Sequence, residues 1–129
     1  MRPLPRCGEL LDLEVIRDLA EVTSDSGPGF LRAVMERFAV DALDGIERMR
    51  RHARRGDTDS LAREAHRLKG SSGTVGALLL AAECREIEHS ARAGLCTGME
   101  PKIEQAHDVL DATRVGLVAF FRGTIAAAA

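Results

Sequence analysis

Residues 65–77 read AHRLKGSSGTVGA. A histidine at 66 is followed three residues later by a lysine at 69, and glycines stand at 70, 73 and 76 among small polar residues. The surrounding sequence has helical character, yet a glycine inside a helix costs about 1 kcal/mol relative to alanine. One reason for glycines at this density is a face that another backbone or a partner protein approaches closely. With Leu61 set at zero and about 100° per residue, Ala65, Leu68, Ser72 and Val75 fall within about 40° of it and form a core stripe. His66 falls about 140° away, with Ala62, Gly70 and Gly73 around it and Lys69 nearer the core boundary. The stretch therefore predicts an amphipathic helix with its histidine pointing outward.

The rest of the chain carries the same period. Asp12 is placed to cap a first helix over about 12–24, whose apolar residues Leu13, Val15, Ile16, Leu19 and Val22 form more than one narrow stripe. The break SDSGPG at 24–29 follows, with Pro28 suited to the first turn of the next helix. That second helix runs to about Arg55, with Leu31, Met35, Phe38, Ala42, Ile46, Met49 and Ala53 recurring every three or four residues. Its basic end, Arg50, Arg51, Arg54 and Arg55, suits the negative pole of a helix and reads as a solvated terminus. Asp57 or Thr58 caps the helix that contains His66, and Gly76 breaks it. A fourth helix over about 77–93 carries Leu80, Cys84, Ile87 and Ala91 on one face. A fifth, over about 100–125, carries Ile103, Ala106, Leu110, Thr113 and Leu117. Nothing alternates with period two. The expected fold is all-α, an antiparallel up-down four-helix bundle with a short additional N-terminal helix. Residues 1–8 are expected to be a flexible leader, 9–126 the bundle domain and 127–129 a frayed tail.

Composition narrows the function classes. A chain of 129 residues is one domain, large enough to bury a core without disulfides or metal. There is no Trp or Tyr, which argues against an aromatic platform for single-stranded nucleic acid. A net charge of −2 gives no general pull toward nucleic acid or membrane. Cys7, Cys84 and Cys96 are widely spaced and form no C-x-x-C pair, as suits incidental thiols in a reducing compartment. No secretory leader and no long apolar run is present, so a cytoplasmic location is expected. Only Lys69 and Lys102 are lysines among the 18 basic residues, so a compact ammonium beside His66 departs from the arginine default.

An outward histidine among residues that carry little or no side chain suits one kind of chemistry. A neutral imidazole nitrogen is a nucleophile near pH 7. Gly70 and Gly73 leave room for a bulky partner to bring an electrophile in line. A phosphoryl group left on the nitrogen is anionic, and Lys69, one turn on, can neutralise part of that charge. A surface histidine beside helix-weakening glycines, without chemistry, fits the spacing equally well.

The residues that decide between these readings are His66, Leu68, Lys69, Gly70, Ser71, Ser72 and Gly76. They match the pattern H-x-L-K-G-S/A-S/A-x-x-x-G, and the stretch resembles the signature of histidine phosphotransfer (HPt) domains of two-component phosphorelays. The resemblance is dense over about a dozen residues and looser over the whole chain. It implies that His66 carries a phosphoryl group exchanged with the aspartate of a response-regulator receiver domain. It implies as partner that receiver, a hybrid sensor histidine kinase or both, and no kinase activity of the domain's own. The family commonly has a Gln or Glu on the following helix that hydrogen-bonds the histidine, and counting along the pattern places that role on Glu88. Such a carboxylate fixes the imidazole tautomer. Lys69 is then the group that neutralises the phosphoryl charge, and Gly70 and Gly73 give docking clearance. Apolar residues Ile16, Phe30 and Val34 are candidates for a docking patch. No cofactor or metal is expected on the domain, and Mg²⁺ is expected on the partner receiver.

Two other readings compete. A metal or haem bundle would draw on His52, His66, His89, His107 and the cysteines, but no two of the histidines sit at i, i+3 or i+4. An HPt-like scaffold that binds a signalling partner without phosphotransfer is the nearer alternative, and the intact His66, Lys69 and Gly70 set speaks against it.

Overall fold

A computed structural model describes residues 10–27 and 29–128, with side chains described as far as Gly123. Among the described residues the elements are α1 Leu13–Val22, the 3-10 turn Ser24–Ser26, α2 Phe30–Arg54, α3 Thr58–Thr74, α4 Leu78–Arg92 and α5 Glu100–Ala128. No strand occurs among the described residues. The expected leader at 1–8 and Pro28 lie outside them, as does Ala129 of the expected tail, while Ala127 and Ala128 are helical.

The helix starts follow from local chemistry. Asp12 accepts the Val15 amide at 3.2 Å and Asp57 accepts the Ser60 amide at 3.0 Å, so each satisfies an amide that has no carbonyl partner in the first turn. Cross-helix side-chain pairs show the antiparallel order. Arg50 and Arg54 on α2 reach Glu104 and Glu100 on α5, so numbers rise along one helix as they fall along the other. Arg48 meets Glu64 between α2 and α3, and Gln105 donates to Glu83 between α5 and α4. The helices α2 to α5 thus pack in a ring, each against its neighbours, with α3 flanked by α2 and α4. Arg50 also pairs with Glu47, and its side chain is mostly buried, so the basic end of α2 is tied to α5 at two points instead of being simply solvated.

The core is the set that the helical period marked. Leu31, Met35, Phe38, Ala42, Ile46 and Met49 of α2 are buried, as are Leu61, Ala65 and Leu68 of α3, Leu80, Cys84, Ile87 and Ala91 of α4, and Ile103, Ala106, Leu110 and Leu117 of α5. Each large aliphatic side chain so buried contributes about 1.5–3 kcal/mol relative to exposure. Ala62 departs from the expectation. It is buried, not on the histidine face, because α3 has a neighbour on each side and so covers a stripe wider than one contact.

Ile16 also departs from it. It is fully buried and belongs to the core, not to a docking patch. The reason lies at the corner between α3 and α4. The Asp12 amide donates to the Gly76 carbonyl at 2.8 Å, which lays the start of α1 across that corner. Gly76 has φ +78°, and a Cβ there would sit 2.9 Å from Ile16 Cγ1 and 3.0 Å from the Asp12 carbonyl oxygen. Only glycine combines that backbone conformation with so close an approach. Phe30 and Val34, the other two candidates, are exposed at the start of α2.

Candidate functional site

His66 stands in the middle of α3 and Glu88 in the middle of α4. A short turn through Gly76 joins the two helices and runs them antiparallel, which brings positions 22 residues apart to the same level. The Nδ1 atom of His66 lies 2.9 Å from Oε2 of Glu88. Lys69, one turn along α3, donates from Nζ to Oε1 of Glu88 at 2.8 Å. Arg92, one turn along α4, donates to Oε2 from Nε at 2.9 Å, and its terminal nitrogen lies 2.8 Å from the same oxygen.

The Glu88 side chain is only 9% exposed, whereas that of His66 is 61% exposed. A buried carboxylate is costly unless its charge is paired and hydrogen-bonded, and here three side chains meet that need. Its pKa is held down at about 2. The Lys69 hydrogen bond is the largest cause, burial opposes it, and the bonds from Arg92 and His66 add to it. Glu88 is therefore ionised throughout the neutral range and can only accept hydrogen bonds. It follows that Nδ1 of a neutral His66 carries the ring proton. The lone pair is then on Nε2, at the far side of the ring.

The outer face of α3 is open. A Cβ placed on Gly70 or on Gly73 would meet no atom within 4 Å. A shallow depression beside Lys69 and Gly73 is floored by Leu78, Ala81 and Ala82 of α4, and Leu78 is exposed. The arrangement is a fixed, solvent-facing nitrogen nucleophile next to an ammonium, on a helix face with little relief.

All five residues singled out in the sequence sit in this region. His66, Lys69 and Glu88 come together in one hydrogen-bonded group, and Gly70 and Gly73 lie on the open face alongside. The Lys69 ammonium rests on Glu88. Arg92 was not singled out. Its signal was present, since an acid and an arginine at i and i+4 on one helix face each other.

Possible metal ligands come together elsewhere. Glu104, His107 and Asp108 share one side of α5, where Glu104 is already paired with Arg50, and His66 is no part of that group. Among the described residues no helix is long and apolar enough to cross a membrane.

Comparison with known proteins points in one direction. The sequence profile of the Hpt domain matches residues 33–116, a span that includes His66, Lys69, Glu88 and Arg92. Histidine-containing phosphotransfer protein 4 of Arabidopsis thaliana is 27% identical over 113 residues, covering 86% of this chain and 89% of that protein. The crystal structure of histidine-containing phosphotransfer protein B from Pseudomonas aeruginosa superposes with a TM-score of 0.73 at 32% identity, covering 88% of this chain and 92% of that one.

Proposed function

The chain belongs to the Hpt domain family, with a phosphotransfer-type role in two-component signalling, and from that premise we propose that His66 is its phosphoacceptor, exchanging a phosphoryl group with the aspartate of a receiver domain. Proteins of this family are phosphoryl carriers rather than enzymes, and they interact with receiver domains and histidine kinases. The observation that carries the reading is the His66 to Glu88 contact at 2.9 Å, which leaves Nε2 of an exposed ring as the free lone pair.

Nε2 attacks the phosphorus of the receiver's aspartyl phosphate in line. The N–P bond forms as the P–O bond to the aspartate breaks, and the aspartate leaves as a carboxylate. The Nδ1 proton stays on the ring in its hydrogen bond to Glu88, and that carboxylate stabilises the positive charge that the ring gains. Lys69 turns part of its charge toward the phosphoryl oxygens. Phosphoryl transfer needs positioning and charge neutralisation more than covalent participation by the protein. The divalent cation, in this reading Mg²⁺, comes with the receiver's acidic pocket. Gly70 and Gly73 let the receiver approach, and the shallow apolar surface at Leu78, Ala81 and Ala82 offers it a seat.

The test is incubation with a phosphorylated receiver. Acid-labile, base-stable phosphate is expected on the parent protein and is expected to be absent from His66→Gln. Equal labelling of the two proteins would assign the phosphate to another residue. No labelling of the parent by any receiver of its source would leave the scaffold reading.

A further inference from the structure

The two oxygens of the Glu88 carboxylate are used unequally. Oε1 accepts from Lys69 at 2.8 Å. Oε2 accepts from Arg92 at 2.9 Å and faces His66 Nδ1 at 2.9 Å. The oxygen that orients the imidazole is thus held by the arginine, and the lysine holds the other. This matters because the phosphoryl group asks something of the lysine. A phosphoryl group on Nε2 brings strong anionic acceptors to the solvent side of the ring. An ammonium that turns toward them divides its charge between two anions and weakens its hold on Oε1. A carboxylate that is 9% exposed then needs another cation. Arg92 has no such second demand within its own contacts. It sits on the same helix as Glu88 at i+4, where its Nε donates to Oε2 and its terminal nitrogen lies 2.8 Å from the same oxygen.

Resting on the reading of His66 as the phosphoacceptor, we propose that Arg92 is a positioning residue. It keeps Glu88 on His66 Nδ1 while Lys69 leaves the carboxylate for the phosphoryl group. The two cations on Glu88 have separate tasks, one fixed and one transferable. Arg92 acts through Glu88 and does not touch the transferred group.

Side-chain ¹⁵N spectra of the histidines test this without any partner. At about pH 8 a free histidine is neutral and its tautomer can be read from the two ring nitrogens. His66→Gln identifies the His66 signals. The parent is expected to show protonated Nδ1. Lys69→Ala mimics departure of the lysine and is expected to keep that tautomer, because Arg92 remains. The double variant Lys69→Ala with Arg92→Gln is expected to show a mixture in which Nε2 is also protonated. Arg92→Lys in the Lys69→Ala background is expected to restore most of the parent signal. Arg92→Gln alone keeps the resting tautomer through Lys69, yet accepts phosphate from a phosphorylated receiver roughly tenfold more slowly, the size of one charge-assisted hydrogen bond. The Arg92 side chain is 58% exposed, so helical circular dichroism should be unchanged in these variants. The proposal is overturned if Lys69→Ala alone scrambles the tautomer, or if the double variant retains it. Failure of the phosphoacceptor reading looks different, since His66→Gln would then accept phosphate as the parent does whatever the tautomers show.

Discussion

His66 Nδ1 and Glu88 Oε2 stand 2.9 Å apart, one on the exposed face of α3 and the other almost fully buried on α4. The contact joins an exposed ring to a carboxylate held in place by two cations. The buried member sets the orientation of the exposed one, and what happens to Glu88 therefore decides what His66 can do.

Acid should remove part of the protein's stability through Glu88. Its carboxyl titrates at about 2 in the folded chain against an ordinary value of 4.5. A group with a depressed folded pKa contributes stability that is fully present above the unfolded value and is lost as pH falls through the folded one. The loss is expected between about pH 4.5 and pH 2. Glu88→Gln should flatten that part of the curve. Urea midpoints at about pH 6 and about pH 3 measure it, and an equal drop in parent and variant would contradict it. Glu64 shifts in the same direction under its bonds from Arg67 and Arg48, so the difference between parent and variant is the quantity to compare.

Lys69→Ala should slow phosphotransfer without harming the fold. Its side chain is 33% exposed on the rim of the bundle. A charge-assisted hydrogen bond of about 1.5 kcal/mol to the transferred group corresponds to roughly a tenfold slower reaction. Single-turnover transfer from a phosphorylated receiver gives the rate, and far-ultraviolet circular dichroism checks the helices. A loss of helix in this variant would mean that the lysine has a structural task.

Gly70 and Gly73 should separate stability from function. Since a Cβ at either position meets open space, alanine is expected to stabilise α3 by up to about 1 kcal/mol per site. Replacing Gly70 by leucine should also leave the isolated protein folded, yet slow transfer by blocking the partner's approach. Thermal unfolding and transfer rate, measured on the same variants, test whether the two move in opposite directions.

Gly76→Ala should behave differently from both. Its positive φ and the approach of Ile16 and the Asp12 carbonyl leave no space for a methyl group. Strain and overpacking together are expected to cost about 2 kcal/mol. A urea midpoint equal to that of the parent would show that α1 does not pack on this corner.

Cys84 should resist thiol reagents in the folded protein. It is fully buried, and burial chiefly pushes its thiol up to about 12. Labelling at Cys84 is expected only after unfolding, which mass spectrometry of the modified chain reports; rapid labelling under native conditions would reveal local opening of α4.

Most of this was legible in the sequence because it depends on period and local chemistry. The apolar recurrence marked the core of α2, α4 and α5, and aspartates marked two helix starts. One helical wheel turned His66 outward, and the family pattern pointed to Glu88. What the sequence left open depends on neighbours across helices. Ile16 lies on a short helix with apolar residues on several sides, and only the packing of α1 on the Gly76 corner decides which of them is inside. Ala62 is buried because α3 is flanked twice, a fact about the bundle and not about one helix. The same limit hid the cluster of Glu64 with Arg48 and Arg67, where a Cβ on Gly45 would come within 2.9 Å of Glu64 Oε1.

The short corner at Gly76 has a consequence for how the protein comes to be folded. His66, Lys69, Glu88 and Arg92 all lie on the two helices it joins, and the most distant pair is only 26 residues apart in the chain. Contacts of such short range close early, because little chain entropy is lost in forming them. The pairing of α3 with α4 can thus form ahead of the long-range contacts that bring in α2 and α5. The chemistry would then be encoded in one helical hairpin, and a nascent chain would carry its reactive group in register before its fifth helix had been made.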